Sequence, residues 1–233
     1  LGFGFCAHAA SPRAFFQAGT AAYQTAEYSA AAQAFKDSAA LEPASGTFQN
    51  LGLAEWELGQ TGPAILAWEQ SLWLNPLNGA AQGNLRFARK AAQVEAPDLT
   101  WYEVISTWLP VNLWAWVGAL SFWSAISAAL LPGIFRWRKA AWHQAVATIG
   151  LTVFLLTLPA FLGVHTRSRL GFIVQKDCPL RMTPTAEAQS ITRLNSGDPA
   201  RLQRARGDFV LVRTSRASGW VKKDQLGLIA ATL

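Results

Sequence analysis

The stretch VNLWAWVGALSFWSAISAALL, residues 111–131, decides how this chain is read. It is the densest part of a 32-residue run between Glu103 and Arg136 without a formal charge, where about 20 apolar residues already cross a bilayer core. A second run, AVATIGLTVFLLTLPAFLGV at 145–164, is uncharged for 20 residues, and only His143 titrates between Lys139 and His165. The polar segments on either side are too short to wrap two such helices as a soluble core. The expectation is therefore a transmembrane hairpin, helix 111–131, loop 132–144 and helix 145–164. Pro110 is a natural break before it, and Pro159 is expected to kink the second helix.

Aromatic placement agrees. Seven of the 11 Trp fall between Trp101 and Trp142. Trp101, Trp108, Trp137 and Trp142 stand at or just beyond the ends of the apolar runs, where an amphipathic indole favours the headgroup layer. Residues 101–110 are expected to form an interfacial segment. The loop carries Arg136, Arg138 and Lys139 and no acid, which favours the cytoplasmic side. Two crossings then return both flanking modules to the opposite side. Residues 1–9 end in Ala7-His8-Ala9, the small-residue pattern of a signal-peptide cleavage site, and are read as a signal-peptide remnant.

The net charge of +6 conceals an asymmetry: −4 over residues 1–103, +3 over 104–164 and +7 over 165–233. Such a split argues against a uniformly basic nucleic-acid binder and for an acidic and a basic module flanking a hydrophobic middle. Opposite charge would also let the two modules associate, within or between chains.

The acidic module, residues 10–100, repeats itself at a period of 33. Gly19 matches Gly52, Ala31 matches Ala64, Phe35 matches Trp68, Ser38 matches Ser71 and Pro43 matches Pro76. Small residues where two helices approach, an aromatic filling the space between and a Pro at the end describe a stacked helix pair. The pattern resembles the tetratricopeptide repeat, with 80–93 as a capping helix. The resemblance implies a concave face formed by the first helix of each pair, here Phe16, Thr20, Tyr23, Gln49, Leu53 and Trp56, continued by Phe87 and Lys90 on the cap. That face is the candidate partner-binding groove for a short helix or extended peptide. The competing account is that Tyr23 and Trp56 simply pack between helices.

Residues 171–233 read as short apolar runs between turn signals. Candidate strands lie at 172–174, 186–191, 200–203, 208–213 and 219–221, with turns at Gly197-Asp198 and Arg206-Gly207-Asp208. Pro179-Leu180-Arg181, Ser196-Gly197-Asp198, the run 207–212 and Gly219-Trp220-Val221 resemble bacterial SH3-like domains, which implies a small all-β barrel closed by 226–229. Trp220 is expected in its core. Some members of that family bind peptidoglycan or peptides.

The catalytic and cofactor signatures are absent: the sequence has no Walker pattern, G-x-S-x-G or H-E-x-x-H, and His143 and His165 stand at opposite ends of the second apolar helix. Two Cys and three His make no zinc cluster. No enzyme activity, cofactor or metal is expected. In its order of modules the whole chain resembles the BatE-type proteins of bacterial aerotolerance operons. The resemblance implies a membrane-anchored, multidomain scaffold of the bacterial inner membrane with both soluble modules periplasmic. Its partners would be membrane or periplasmic proteins, von Willebrand A-domain proteins and a MoxR-type ATPase among them, and no nucleic acid. The rival reading is an envelope anchor whose basic barrel grips peptidoglycan or an anionic wall polymer.

Overall fold

The computed structural model describes residues 11–136 and 141–230. The expected signal-peptide remnant 1–9, the interfacial anchor Trp137 and the loop charges Arg138 and Lys139 lie outside the described residues. Among the described residues there are eight α-helices and one seven-stranded antiparallel sheet. They form two compact units, one from 11–98 together with 169–230 and the other from 99–168.

The first unit begins with five helices, α1 (Pro12–Gln24), α2 (Tyr28–Leu41), α3 (Ser45–Glu57), α4 (Thr61–Leu74) and α5 (Gly79–Ala92), each packed on the next. The 33-residue period is visible in its contacts. A Cβ on Gly19 would stand 2.8 Å from the Phe35 ring, and one on Gly52 would stand 2.5 Å from Trp68 Nε1. Each glycine is the seat into which the aromatic of the following helix drops; Phe35 and Trp68 are each 1% exposed. Ser38 Oγ donates to the Pro12 carbonyl and Ser71 Oγ to the Ser45 carbonyl, both at 2.8 Å. One hydroxyl per repeat therefore ties the last turn of the second helix to the first turn of the helix before it. Trp68 Nε1 donates to the Gln49 carbonyl at 3.2 Å, so the buried indole keeps a hydrogen bond.

The turns within the pairs repeat as well. Glu27 N donates to the Ala22 carbonyl and Gln60 N to the Glu55 carbonyl, both at 2.9 Å. These bonds close a left-handed helix end, with φ +60° at Ala26 and +71° at Gly59. Only the second repeat has a glycine there.

The sheet comprises β1 (Leu170–Ile173), β2 (Cys178–Arg181), β3 (Ser190–Leu194), β4 (Pro199–Arg206), β5 (Phe209–Arg213), β6 (Ser218–Lys222) and β7 (Leu226–Leu228). Their order is β3-β2-β6-β5-β4-β1-β7. The ladder is open between β3 and β7, whereas the sequence reading had 226–229 closing a barrel; β7 instead extends the β1 edge. Strand β2 escaped the sequence reading because Pro179 argues against a strand. It is accommodated because β2 meets β6 only at Arg181, leaving Pro179 in the ladder with β3 alone. The core beneath is Ile173, Cys178, Leu180, Val210, Val212 and Val221 with Leu194 and Ala200.

Helices and sheet, expected as separate modules, make one unit, and α4 is where they meet. Gly62 N donates to Ser196 Oγ at 2.9 Å and Gln70 Nε2 donates to the Leu228 carbonyl at 3.0 Å. A Cβ on Gly62 would come within 2.5 Å of the Ile173 carbonyl oxygen, and one on Gly197 would stand 2.7 Å from Ile65 Cδ1. Gly227 leaves no room for a Cβ against Leu66. Three glycines thus let backbone and aliphatic side chains close on one another, a joint built by packing and hydrogen bonds rather than by net charge.

The second unit holds α6 (Trp101–Ser106), α7 (Val111–Ile134) and α8 (Ala141–Arg167). Both long helices are long and apolar enough to cross a membrane, and only 17% of each apolar window is buried. A soluble core helix of such composition would be mostly covered. The spans run longer than the 111–131 and 145–164 read from sequence: 132–134 continue α7 and 141–144 begin α8, shrinking the expected loop 132–144 from both ends. Pro132 lies inside the last turns of α7. Close crossing is made by small residues, as membrane helix pairs require. A Cβ on Gly150 would stand 2.8 Å from the Ser121 carbonyl oxygen, and one on Gly118 would stand 3.1 Å from Phe161. Ser121 and Thr157 return their hydroxyls to carbonyls of their own helices at 2.7 and 2.6 Å, so these two side chains carry their own hydrogen bonds.

Two substitutions test this account by thermal unfolding of the full chain in detergent. Ala26→Gly relieves a left-handed alanine on an exposed turn and should raise stability by about 1 kcal/mol. Gly62→Val places branched atoms against the Ile173 carbonyl, should cost about 1–3 kcal/mol and should open the 62–66 and 196–197 segments to protease. An unchanged cleavage pattern would contradict the joint.

Candidate functional site

The candidate groove residues fall on α1, α3 and α5 and divide into two kinds. Phe16 is committed to the interior: its ring lies 5.7 Å from Phe35 and packs against the helical core. Gln49 is likewise engaged. Its Oε1 accepts from Asn78 Nδ2 at 3.0 Å in a cluster with Ser45 and Ser71, which the same Asn78 amide also reaches. Thr20 returns its hydroxyl to the Phe16 carbonyl at 2.9 Å. Leu53 is half-buried.

Trp56, Phe87 and Lys90 make the outward part. Trp56 meets Phe87 edge-on at 5.7 Å while its other side lies 6.1 Å from Trp68. It is held from behind and presented in front. Phe87 is 62% exposed, and Lys90 stands exposed one helical turn further on. Tyr23 packs edge-on against Tyr28 at 5.4 Å. Burial first, then the Glu57 carboxylate and Tyr28, push its phenol above the ordinary 10.0. Tyr23 is brought together with Tyr28 rather than with the Trp56–Phe87 pair. Acid–base pairs brace the same helices: Lys36 Nζ lies 2.5 Å from the buried Glu55 carboxylate, and Arg89 bonds to Glu69.

A second surface was missed from sequence. Register pairs Phe209 with Lys222 and Arg206, Leu211 with Trp220 and Arg204, and Arg181 with Trp220. Directly paired residues share a sheet face, so these side chains lie together opposite the buried Val210, Val212 and Val221. Trp220, expected in the core, lies partly buried on this outer face. The Arg181 guanidinium stands 6.0 Å from the centre of the Phe209 ring. Alternation of 209–213 was legible; which face turned inward was not, because both carry apolar residues.

In the second unit Trp101, Trp108 and Trp142 are 66%, 61% and 61% exposed, and Arg136 is exposed at the end of α7. Trp142 stacks on His143 with 3.7 Å between ring centres. Helix α6 is inside out. Trp101 and Val104 face outward, while Glu103 (1% exposed) and Ser106 (2%) face α8. Glu103 closes a capping box, accepting from Thr100 N at 2.8 Å, and Arg167 Nη1 donates to Ser106 Oγ at 3.2 Å. Gly163 leaves its surface open to the Tyr102 carbonyl, which seats α6 on α8. A short helix that hides its polar side and shows its apolar one suits an interface with lipid.

Cys178 is a free thiol buried in the sheet, 3.4 Å from Gln225 Oε1. Burial pushes it up to about 11, with Arg181 opposing and Asp224 adding to the shift. No protein-family model, no curated protein and no solved structure matches this chain.

Both perturbed groups give measurable outcomes. At pH 8 the Cys178 thiolate population should be about 100-fold below that of an ordinary thiol. In a Cys6→Ser background, iodoacetamide should therefore label the folded chain far more slowly than the unfolded one; equal rates would contradict the burial. Tyr23 holds its proton more tightly when folded, so its share of stability is present below about pH 10 and is lost as pH rises through its raised folded value. Tyr23→Phe should flatten the alkaline limb of the unfolding midpoint against pH and leave neutral pH little changed.

Proposed function

We propose that this chain is a membrane-anchored interaction scaffold that presents the α1–α3–α5 side of its helical array to a protein partner. The observation that carries the reading is the Trp56–Phe87 pair, an aromatic pair braced from behind by Trp68 and left exposed in front, with Lys90 one turn beyond. Aromatic anchors of this kind, rigid and partly dry before binding, are what protein interfaces concentrate. The sheet packs on α4, and on the first-helix side Phe87 and Lys90 stay exposed beside Trp56.

The tetratricopeptide reading of the array is supported by the repeated glycine seats and serine ties, one set per 33 residues. The SH3-like reading of the sheet is supported by its short antiparallel strands, three to eight residues long, and tight turns. The order of helical array, apolar hairpin and sheet resembles that of the BatE-type aerotolerance proteins. On that reading the chain sits in a bacterial inner membrane with its soluble parts periplasmic, beside von Willebrand A-domain membrane proteins and a MoxR-type ATPase. The periplasmic side is supported by Arg136, Arg138 and Lys139 in the connection between the two apolar helices.

A photoreactive residue at position 56, crosslinked in intact cells and analysed by mass spectrometry, tests the scaffold. The expected result is a discrete protein adduct that disappears when Phe87→Ala and Lys90→Glu are introduced together. Both sites are exposed, so the variant should fold. A folded chain with no protein adduct at position 56 would overturn the reading.

A further inference from the structure

We propose that the outer face of the β4–β5–β6 sheet is a docking surface for anionic phospholipid headgroups, an inference that rests on the reading of α7 and α8 as bilayer spans. The face gathers Arg181, Arg204, Arg206 and Lys222 around the partly buried rings of Phe209 and Trp220. Its composition is that of a surface which meets an interface rather than water or a dry core: indole and phenyl for the acyl boundary, guanidinium and ammonium for phosphate. The hairpin between β4 and β5 reaches outward, with residues 203–208 all exposed. Asp208 at its tip is the acid nearest in sequence, against Arg204 and Arg206 on the same strand end. Arg201, paired with Arg213 on the same side of the sheet, is not counted among the docking cations because it is engaged: it donates to the Asp98 carbonyl at 2.6 Å.

Charge complementarity alone would admit any polyanion. Connectivity selects lipid. The unit that carries the sheet is joined to the apolar hairpin at both of its seams, 98/99 and 168/169, and β1 begins only two residues after α8 ends. A headgroup layer is thus present at high effective concentration without any diffusional encounter. Each Lys or Arg near an anionic leaflet adds roughly fivefold to partitioning, so four cations suffice for a tethered face. The aromatic pair sets depth, and the cations set the preference for anionic over zwitterionic lipid.

The test is amide hydrogen exchange of the full chain reconstituted in lipid nanodiscs. Discs of phosphatidylcholine alone are compared with discs in which about one third of the lipid is phosphatidylglycerol. Exchange over 203–210 should slow at least several-fold in the anionic discs and recover in high salt. Arg204→Glu with Arg206→Glu should abolish the difference, while Arg13→Glu on the helical array should leave it intact. Equal exchange in both discs overturns the proposal. So does protection that appears only when a soluble polyglutamate peptide or wall-polymer fragment is added to phosphatidylcholine discs, an outcome that assigns the face to a protein or wall partner. The two readings fail separately. A chain that does not enter discs at all overturns the membrane reading together with the docking surface, whereas one that enters and shows no lipid dependence overturns the docking surface alone.

Discussion

Helix α4 is buried on both sides, and the arrangement of the helix-and-sheet unit depends on it. One side receives the repeat: Trp68 drops onto Gly52 and Ser71 ties back to Ser45. The other receives the sheet: Gly62, Ile65, Leu66 and Gln70 meet Ser196, Gly197, Gly227 and the Leu228 carbonyl. A helix in a two-repeat array would otherwise leave that second side wet, and two repeats bury little on their own. The sheet supplies the missing neighbour that a third repeat would give a longer stack. Removing the sheet would uncover Ile65 and Leu66, so the array and the sheet stabilise each other.

The repeat was legible because its pattern lies within 33 residues, and the glycine, aromatic and serine matches each proved to be one contact made twice. The docking was written in the same comparison, in the positions where the repeats differ. Where α2 has Ser29, Gln33 and Asp37, α4 has Gly62, Leu66 and Gln70. In α2, Gln33 and Asp37 bond to each other at 2.8 Å on an open surface. In α4 the equivalent sites turn toward the sheet. Loss of polar residues from one side of one repeat was the available signal. The groove was less legible, since inward-facing positions assigned by family analogy do not say which side chains are spent. Gln49 was spent on Asn78, a residue outside the repeated set, whereas Trp56 met Phe87 on the capping helix.

The apolar hairpin was the plainest feature of the sequence because freedom from charge over 20 or more residues has few other causes. Its polar interior was not readable. Glu103 and Arg167 stood in the sequence as the charges bounding the apolar runs, and nothing local shows that Ser106 is contacted by both: its hydroxyl donates to the Glu103 carbonyl at 2.6 Å and accepts from Arg167 at 3.2 Å. That contact is 61 residues long and depends on Gly163 letting α6 lie against α8. Buried charge at such a point is costly unless it is hydrogen-bonded, and the inverted orientation of α6 brings Ser106 within reach of Arg167 Nη1.

Parity and docking constrain each other. The helix-and-sheet unit is interrupted after residue 98 and resumes at 169, and both ends of the interruption are held by neighbouring residues of one strand. Arg201 binds the Asp98 carbonyl, and Leu202 N donates to the Arg169 carbonyl at 2.8 Å. An insertion whose two ends are clasped side by side must return to where it began. An odd number of crossings would leave the sheet and α4 on opposite faces of the bilayer, and the joint of Gly62 with Ser196 could not form. Read as bilayer spans, α7 and α8 make two crossings, an even number, and so meet that requirement independently of the loop charges.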